Sequence, residues 1–311
     1  MFILMKILII CSKNSGRIAP FITDQVEALQ KAGVVCDYFT VEGKGVKGYL
    51  RNYTPMMRKI REFQPDIIHA HYGLSGLLAN LQRKVPVVTT YHGSDINNPK
   101  VRQISKVAMK LSAWNIFVSK KNIKLARVKK KFSLIPCGVD TNIFRPMDRK
   151  AERKKLGFSE SDNIVLFAGA FDNPVKNPEL ATEAVSKISV ARMIELKGYN
   201  RKQVAGLMNA VDVCLMTSHT EGSPQFIKEA MACNCPIVSV NVGDVKEVLE
   251  GVNGCLITEK SAINVALKIQ EVLIKNERTN GYEKIKNSGY EATVVAERIK
   301  NVYKNISLKN A

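Results

Sequence analysis

The chain has 311 residues, 45% of them hydrophobic, and a formal net charge of +19 at pH 7. That length is long for one hydrophobic core and comfortable for two domains, and the apolar content is ample for burial. The charge is uneven: residues 1–150 carry 26 Lys or Arg against 9 Asp or Glu, whereas residues 151–311 carry 21 against 19. Only the first half is basic, and its field suits an anionic membrane surface, a nucleic acid or a phosphorylated acceptor.

The first ten residues, Met1 to Ile10, are apolar apart from Lys6. Ten is too few to cross a bilayer, and no small-residue cleavage site follows, so a soluble or peripheral protein is expected. Ile7 to Cys11 reads as the first buried strand. Seven cysteines lie mostly in or beside apolar runs without a Cys-x-x-Cys pair. They read as reduced core thiols of a cytoplasmic protein, which excludes a disulfide framework and makes zinc a poor fit.

Further along the first half, apolar runs at Val34–Phe39, Asp66–His69, Val87–Tyr91, Trp114–Val118 and Phe132–Ile135 alternate with amphipathic stretches such as Phe21–Lys31 and Thr54–Phe63. Such alternation predicts a parallel sheet covered by helices, a Rossmann-like domain. The turn Asn14-Ser15-Gly16-Arg17 follows the first strand, where backbone approaches a phosphate or acceptor closely. Gly43 to Gly48 matches a dinucleotide fingerprint only as a string, because it follows the second strand and lacks the acidic strand end. It is expected to be a mobile basic loop. His69, His71 and His92 stand at strand ends, and Gly93-Ser94-Asp95 after His92 is expected to leave backbone exposed and place a cap beside the imidazole.

Pro136 to Pro146 reads as a turn-rich linker, with a domain boundary near residue 148. A second sheet is predicted at Ile164–Gly169, Met193–Leu196, Val211–Met216, Pro236–Val240 and Cys255–Ile257, and a final helix over about Thr293–Ile306. Lys176 follows the first of these strands and offers fixed positive charge to a bound anion. Glu221 and Glu229 lie eight residues apart, the first in the loop Ser218 to Pro224, the second in the helix that Pro224 is expected to open as a first-turn residue. Free backbone N–H groups at such a helix start attract an anion. Asn234, at the end of that helix, tolerates the left-handed conformation a helix stop needs.

This segment resembles the Glu-x7-Glu signature of retaining glycosyltransferases of family 4, and the likeness extends through Gly243, Asp244, Glu247 and Gly254. The resemblance implies an α/β protein of GT-B fold, with two Rossmann-like domains facing each other across a cleft. Residues 1–148 would form the acceptor side and 149–311 the nucleotide-sugar donor domain, the last helix crossing back. It implies that Glu229 holds the ribose hydroxyls, that Glu221 lies at the donor sugar, and that Gly222, Ser223, Pro224, Gln225 and Phe226 lie beneath sugar and phosphate. Gly16, Gly169 and Lys176 join the donor site, and His92, in a His-Gly-Ser-Asp stretch, faces the sugar as a catalytic group with Glu221 and Lys176. Arg17, His71 and Asp95 fall on the acceptor side.

The implied reaction moves a sugar with retention from a nucleotide-diphosphate sugar, linked to UDP or GDP, to a hydroxyl acceptor in polysaccharide or glycolipid synthesis. No cofactor is expected. No Asp-x-Asp pair occurs in the chain, so the metal clamp of the other major glycosyltransferase fold is missing. Three positions depart from the family pattern. Asn234 replaces a glycine, Ala170 replaces an arginine that partners the lysine, and Lys197-Gly198-Tyr199-Asn200 stands where a glycine-rich turn is usual. The rival functions are a nucleotide-sugar epimerase of the same fold, and a basic membrane- or nucleic-acid-binding module with a degenerate site. Intact Glu221, Glu229 and His92 favour the transferase, at the inner face of a membrane, with nucleic acid an unlikely partner.

Overall fold

The computed structural model describes residues 4–310; residues 1–3 of the opening apolar run lie outside them. The chain forms two compact units, Met1–Gly138 with Ala292–Ala311, and Val139–Glu291.

In the first unit β1 (Lys6–Ser12), β2 (Val35–Val41), β3 (Ile67–His71), β4 (Val87–Tyr91), β5 (Trp114–Phe117) and β6 (Phe132–Leu134) form one sheet in the order β2-β1-β3-β4-β5-β6. Every pair is parallel. Ile7 to Cys11 are fully buried, as a strand covered on both faces requires. Their side chains alternate: Ile7 and Ile9 pack with Val26 and Leu29 of the helix Pro20–Lys31, while Leu8 and Ile10 pack with Met56, Ile60 and Leu78 on the other face. The last helix, Ala292–Asn310, lies on the first of these faces through Val295, Ile299 and Tyr303.

The expected loop at Gly43 to Gly48 contains instead a short helix, Gly45–Leu50, with Tyr49 buried. A Cβ on Gly43 would come within 2.9 Å of the Gly48 Cα, so the pair of glycines lets the chain fold onto itself there.

The second unit has β7 (Asn163–Phe167), β8 (Ala191–Glu195), β9 (Val213–Met216), β10 (Ile237–Val240) and β11 (Cys255–Thr258), in the order β11-β10-β9-β7-β8, again all parallel. The division falls at Gly138–Val139 rather than near residue 148. The reason is burial: Val139 and Phe144, in the stretch read as linker, are fully buried in the second core, and the Val139 N–H bonds the Tyr290 carbonyl.

In both sheets the strand order reverses once, between β1 and β3 and between β7 and β9. Such a switch point leaves a crevice beyond the carboxyl ends of the two strands, because their connections leave in opposite directions. The loops that follow these four strands hold most of the candidate residues.

Candidate functional site

In the second unit the loop after β7 and the loop after β9 are fastened together. Asn173 caps the short turn Pro174–Lys176 by accepting the Val175 N–H at 3.1 Å. Thr217, just past β9, donates its hydroxyl to the carbonyls of Lys176 and Asn177 at 3.0 and 2.9 Å. The His219 N–H reaches the Val175 carbonyl at 2.9 Å. The stem of Lys176 lies across Gly169, where a Cβ would come 2.7 Å from the Lys176 Cγ. Any larger residue at 169 would therefore displace the lysine, which explains the glycine at the end of this strand.

Lys176 Nζ donates to Glu221 Oε1 at 2.6 Å, in a pair that is 24% and 16% exposed and so remains open to a ligand. Gly222 is held from behind by the loop after β10. Gly243 has φ +61, and a Cβ there would lie 2.7 Å from the Gly222 carbonyl oxygen. Beneath the same loop Lys228 is buried and donates to the Ser223 hydroxyl at 3.3 Å. Asp244, also buried, has its carboxyl pushed above the usual range by burial, against the pull of Lys228 and Ser223. Lys228 is thus an interior anchor for the loop.

Pro224 is the cap of the helix Gln225–Ala232, with φ −66 and ψ 121, and not its first residue. Its extended ψ turns the chain into the helix, and its side chain has no acceptor for the first N–H groups. Glu229, one turn further, is 4% exposed and so not a solvated surface residue. Its Oε1 accepts from Arg201 Nη1 at 2.8 Å, and the guanidinium lies over the buried Phe144 ring at 4.5 Å from its centroid. Arg201 opens the helix Arg201–Ala210, whose start is fixed by a reciprocal capping box between Asn200 and Gln203. Lys197 to Asn200, the stretch that departs from the family pattern, is therefore a helix entry that delivers a cation to Glu229. At Asn234 φ is 52, and its Oδ1 accepts the Tyr282 N–H at 2.7 Å, a bond glycine would lack.

In the first unit His69, His71 and His92 form a stacked column, with ring centroids 4.6 and 5.2 Å apart. His71 Nδ1 and His92 Nε2 share a hydrogen bond of 2.9 Å. His69 bonds the Tyr303 hydroxyl at 2.5 Å and the Thr90 hydroxyl at 2.7 Å. Burial pushes the His69 imidazole well below its ordinary pKa, with His71 and His92 adding to the shift, and pushes His71 down to about 3. The rings of Phe21 and Tyr72 flank His92 at 4.7 and 4.8 Å. Tyr72 holds a left-handed φ of 71, a strained position for an aromatic residue and one that tends to mark a site.

Asp95 does not cap a helix beside an exposed backbone. It is 3% exposed, and its Oδ1 accepts the N–H groups of His92 and Gly93 while its Oδ2 accepts that of Gly73. The backbone at His92 is thereby clamped from within, and burial pushes the Asp95 carboxyl up to about 6. Gly16 needs its φ of +83 and not space, since nothing lies within 4 Å of a Cβ built there; Arg17 is exposed. The structure therefore brings together Lys176 with Glu221, and His71 with His92. Arg201, Tyr72 and Phe21 escaped the sequence reading. Of these only the Asn200-x-x-Gln203 box was a local signal, and it marks the helix start without revealing the reach to Glu229. Among the described residues no group of three His, Cys, Asp or Glu is placed to hold a metal ion.

Two parallel sheets with this connectivity define a protein of the GT-B class, and solved structures of that class superpose on the chain. Sucrose-phosphate synthase from Thermosynechococcus elongatus aligns over 98% of this chain and 100% of its own, with TM-score 0.87 and 18% identity. HepE from Anabaena in complex with UDP aligns over 97% and 100%, with TM-score 0.76 and 16% identity. The family model for Glycosyltransferase Family 4 matches residues 18–143, and that for Glycosyl transferases group 1 matches residues 165–275. The chain belongs to glycosyltransferase family 4. Among its relatives, the D-inositol 3-phosphate glycosyltransferase of Mycobacterium marinum is 27% identical over 70% of this chain and 57% of its own length. That of Geodermatophilus obscurus is 25% identical over 71% and 63%. The chain thus spans about three-fifths of the length of these relatives.

Proposed function

We propose that this chain transfers a sugar from a nucleotide-diphosphate sugar to a hydroxyl acceptor with retention of configuration, without a metal ion, in the synthesis of a polysaccharide or glycolipid. The observation that carries the proposal is the pair of acids at the β7/β9 switch point: Glu221 half-open beside Lys176, and Glu229 buried and oriented by Arg201. Glu229, oriented by Arg201, holds the ribose hydroxyls. Glu221 positions the sugar. The C1–O bond to the diphosphate breaks while the acceptor oxygen bonds C1 from the same face, and the departing phosphate oxygen takes the acceptor's proton. Lys176 and the helix behind Pro224 stabilise the charge that develops on the diphosphate.

Support for the donor class comes from relatives of the fold: HepE is described with UDP and with UDP-glucose. We place the protein in the cytoplasm, peripheral at an acidic membrane that presents the acceptor. No helix among the described residues is long and apolar enough to cross a membrane. The test is Glu229→Ala. Calorimetry with a panel of UDP- and GDP-sugars is expected to show one nucleotide bound by the parent, and affinity lost by at least about a hundredfold in the variant, the effect of two charge-assisted hydrogen bonds. Unchanged affinity in a folded variant rules out this donor site.

A further inference from the structure

From Ile96 to Val139 the chain has no Asp or Glu and eleven Lys or Arg. The fold gathers these cations onto one side of the first unit. Arg102, Lys106 and Lys110 recur every fourth residue on the helix Pro99–Leu111, so they share one face. Across from them the chain leaves the helix Lys120–Ala126 at Arg127, in a left-handed turn, and runs through Lys129–Lys131 into the edge strand β6. Two adjoining grooves of about 460 and 490 Å³ lie between these segments, and both are lined by Lys106 and Arg127. Among the described residues, neither of these two cations nor Lys110 or Lys130 has an acidic partner.

The cations rim a partly apolar floor. Met109, Ala126 and Val128 line one groove, Leu125 lines the other, and Val107 stands 47% exposed beside Lys106. The stripe from Arg102 to Lys110 extends roughly 12 Å at 1.5 Å per residue, too long for one phosphate to neutralise. It also runs away from the carboxyl edge of the sheet, where His71 and His92 lie, so it is not part of the candidate catalytic region. A single-stranded nucleic acid would call for exposed aromatic rings to stack its bases, and neither groove is lined by one. An array of anionic headgroups above acyl chains matches both the cationic rim and the apolar floor.

We infer that this face, centred on Lys106 and Arg127, docks the protein on the surface of an acidic phospholipid bilayer. The inference rests on the membrane part of the proposed function, and its test is separable from donor binding. The full chain is sedimented with vesicles of phosphatidylcholine alone and with 40% phosphatidylglycerol, an arbitrary composition of about physiological acidity. The parent is expected to bind only the acidic vesicles and to be released by salt. The variant Lys106→Ala/Lys110→Ala/Lys130→Ala is expected to bind them roughly a hundredfold less, about fivefold per side chain. Its melting temperature and its stabilisation by nucleotide sugars should match the parent.

Equal binding to both vesicles, or an unaltered affinity in the folded variant, overturns the inference. So does a preference for a competing single-stranded or duplex RNA over the acidic vesicles at the same salt. Donor stabilisation lost in parent and variant alike would sink the proposed transfer and leave the docking face standing.

Discussion

The two switch points solve the same electrostatic problem in opposite ways. At the first, His69 and His71 lie in a dry interior that pushes both pKa values down, His69 tied to two hydroxyls and His71 to His92, which continues the stack. At the second, each of two carboxylates is matched with a cation, Glu221 with Lys176 and the buried Glu229 with Arg201. Burial favours the uncharged form of an unpaired base, whereas pairing favours the charged form of an acid. The first region should therefore respond to acid, and the second to the loss of a partner.

The largest expected effect is at the charged site. Lys176→Met keeps the length of the side chain over Gly169 but leaves Glu221 without its cation. For the proposed transfer kcat should fall by about a hundred- to a thousandfold, the usual cost of removing one stabilising donor, with a smaller change in KM. A steady-state comparison in which KM alone moves would assign Lys176 to ground-state binding only.

Next is acid stability, which should belong to the first unit. His69 and His71 have folded pKa values below their ordinary 6.5, so below that pH the unfolded chain binds two more protons and stability falls. Asp95 acts oppositely, since its folded pKa of about 6 exceeds the ordinary 3.8 and its protonation favours the folded state as pH drops through that window. Two imidazoles outweigh the one carboxyl, so stability should fall as the pH drops below about 6. Urea unfolding at successive pH values, followed through Trp114 of the first unit, would show this, and a flat profile would mean that the column is not neutral.

A smaller effect is expected from Tyr303→Phe, which removes the hydroxyl on His69 and should cost about 1–2 kcal/mol, lowering the melting temperature without changing nucleotide binding. The smallest is Asn234→Gly. Glycine suits the positive φ, but the bond to Tyr282 is lost, so a net destabilisation of at most about 1 kcal/mol should appear in the urea midpoint. Stabilisation instead would show that the side-chain bond contributes nothing.

Much of the fold was legible because buried parallel strands must be continuous apolar runs; β4 was read from Val87 to Tyr91, as it is observed. The helix Gly45–Leu50 was not, since a glycine-rich basic segment has no apolar period, and the close approach of Gly43 and Gly48 shows only in the folded chain. The boundary was read too late because Val139 and Phe144 sit among turn-forming residues, and only packing shows that they serve the second core. At the candidate site, Glu221 and Glu229 stood out by their spacing, and Lys176 through the family resemblance. The burial of Lys228, the inward turn of Asp95 and the strain at Tyr72 were not, because each depends on groups brought near by folding.

The sequence by itself determined the alternation of strands and helices, the family, and the identity of the acids, the lysine and the histidine at strand ends. These follow from local pattern, which is written in consecutive residues. Only the tertiary structure decided that Arg201 serves Glu229, that three histidines stack in one column, and that the cations between Ile96 and Val139 share one face. Those relations join residues far apart in the chain, and charge and solvation respond to distance in space.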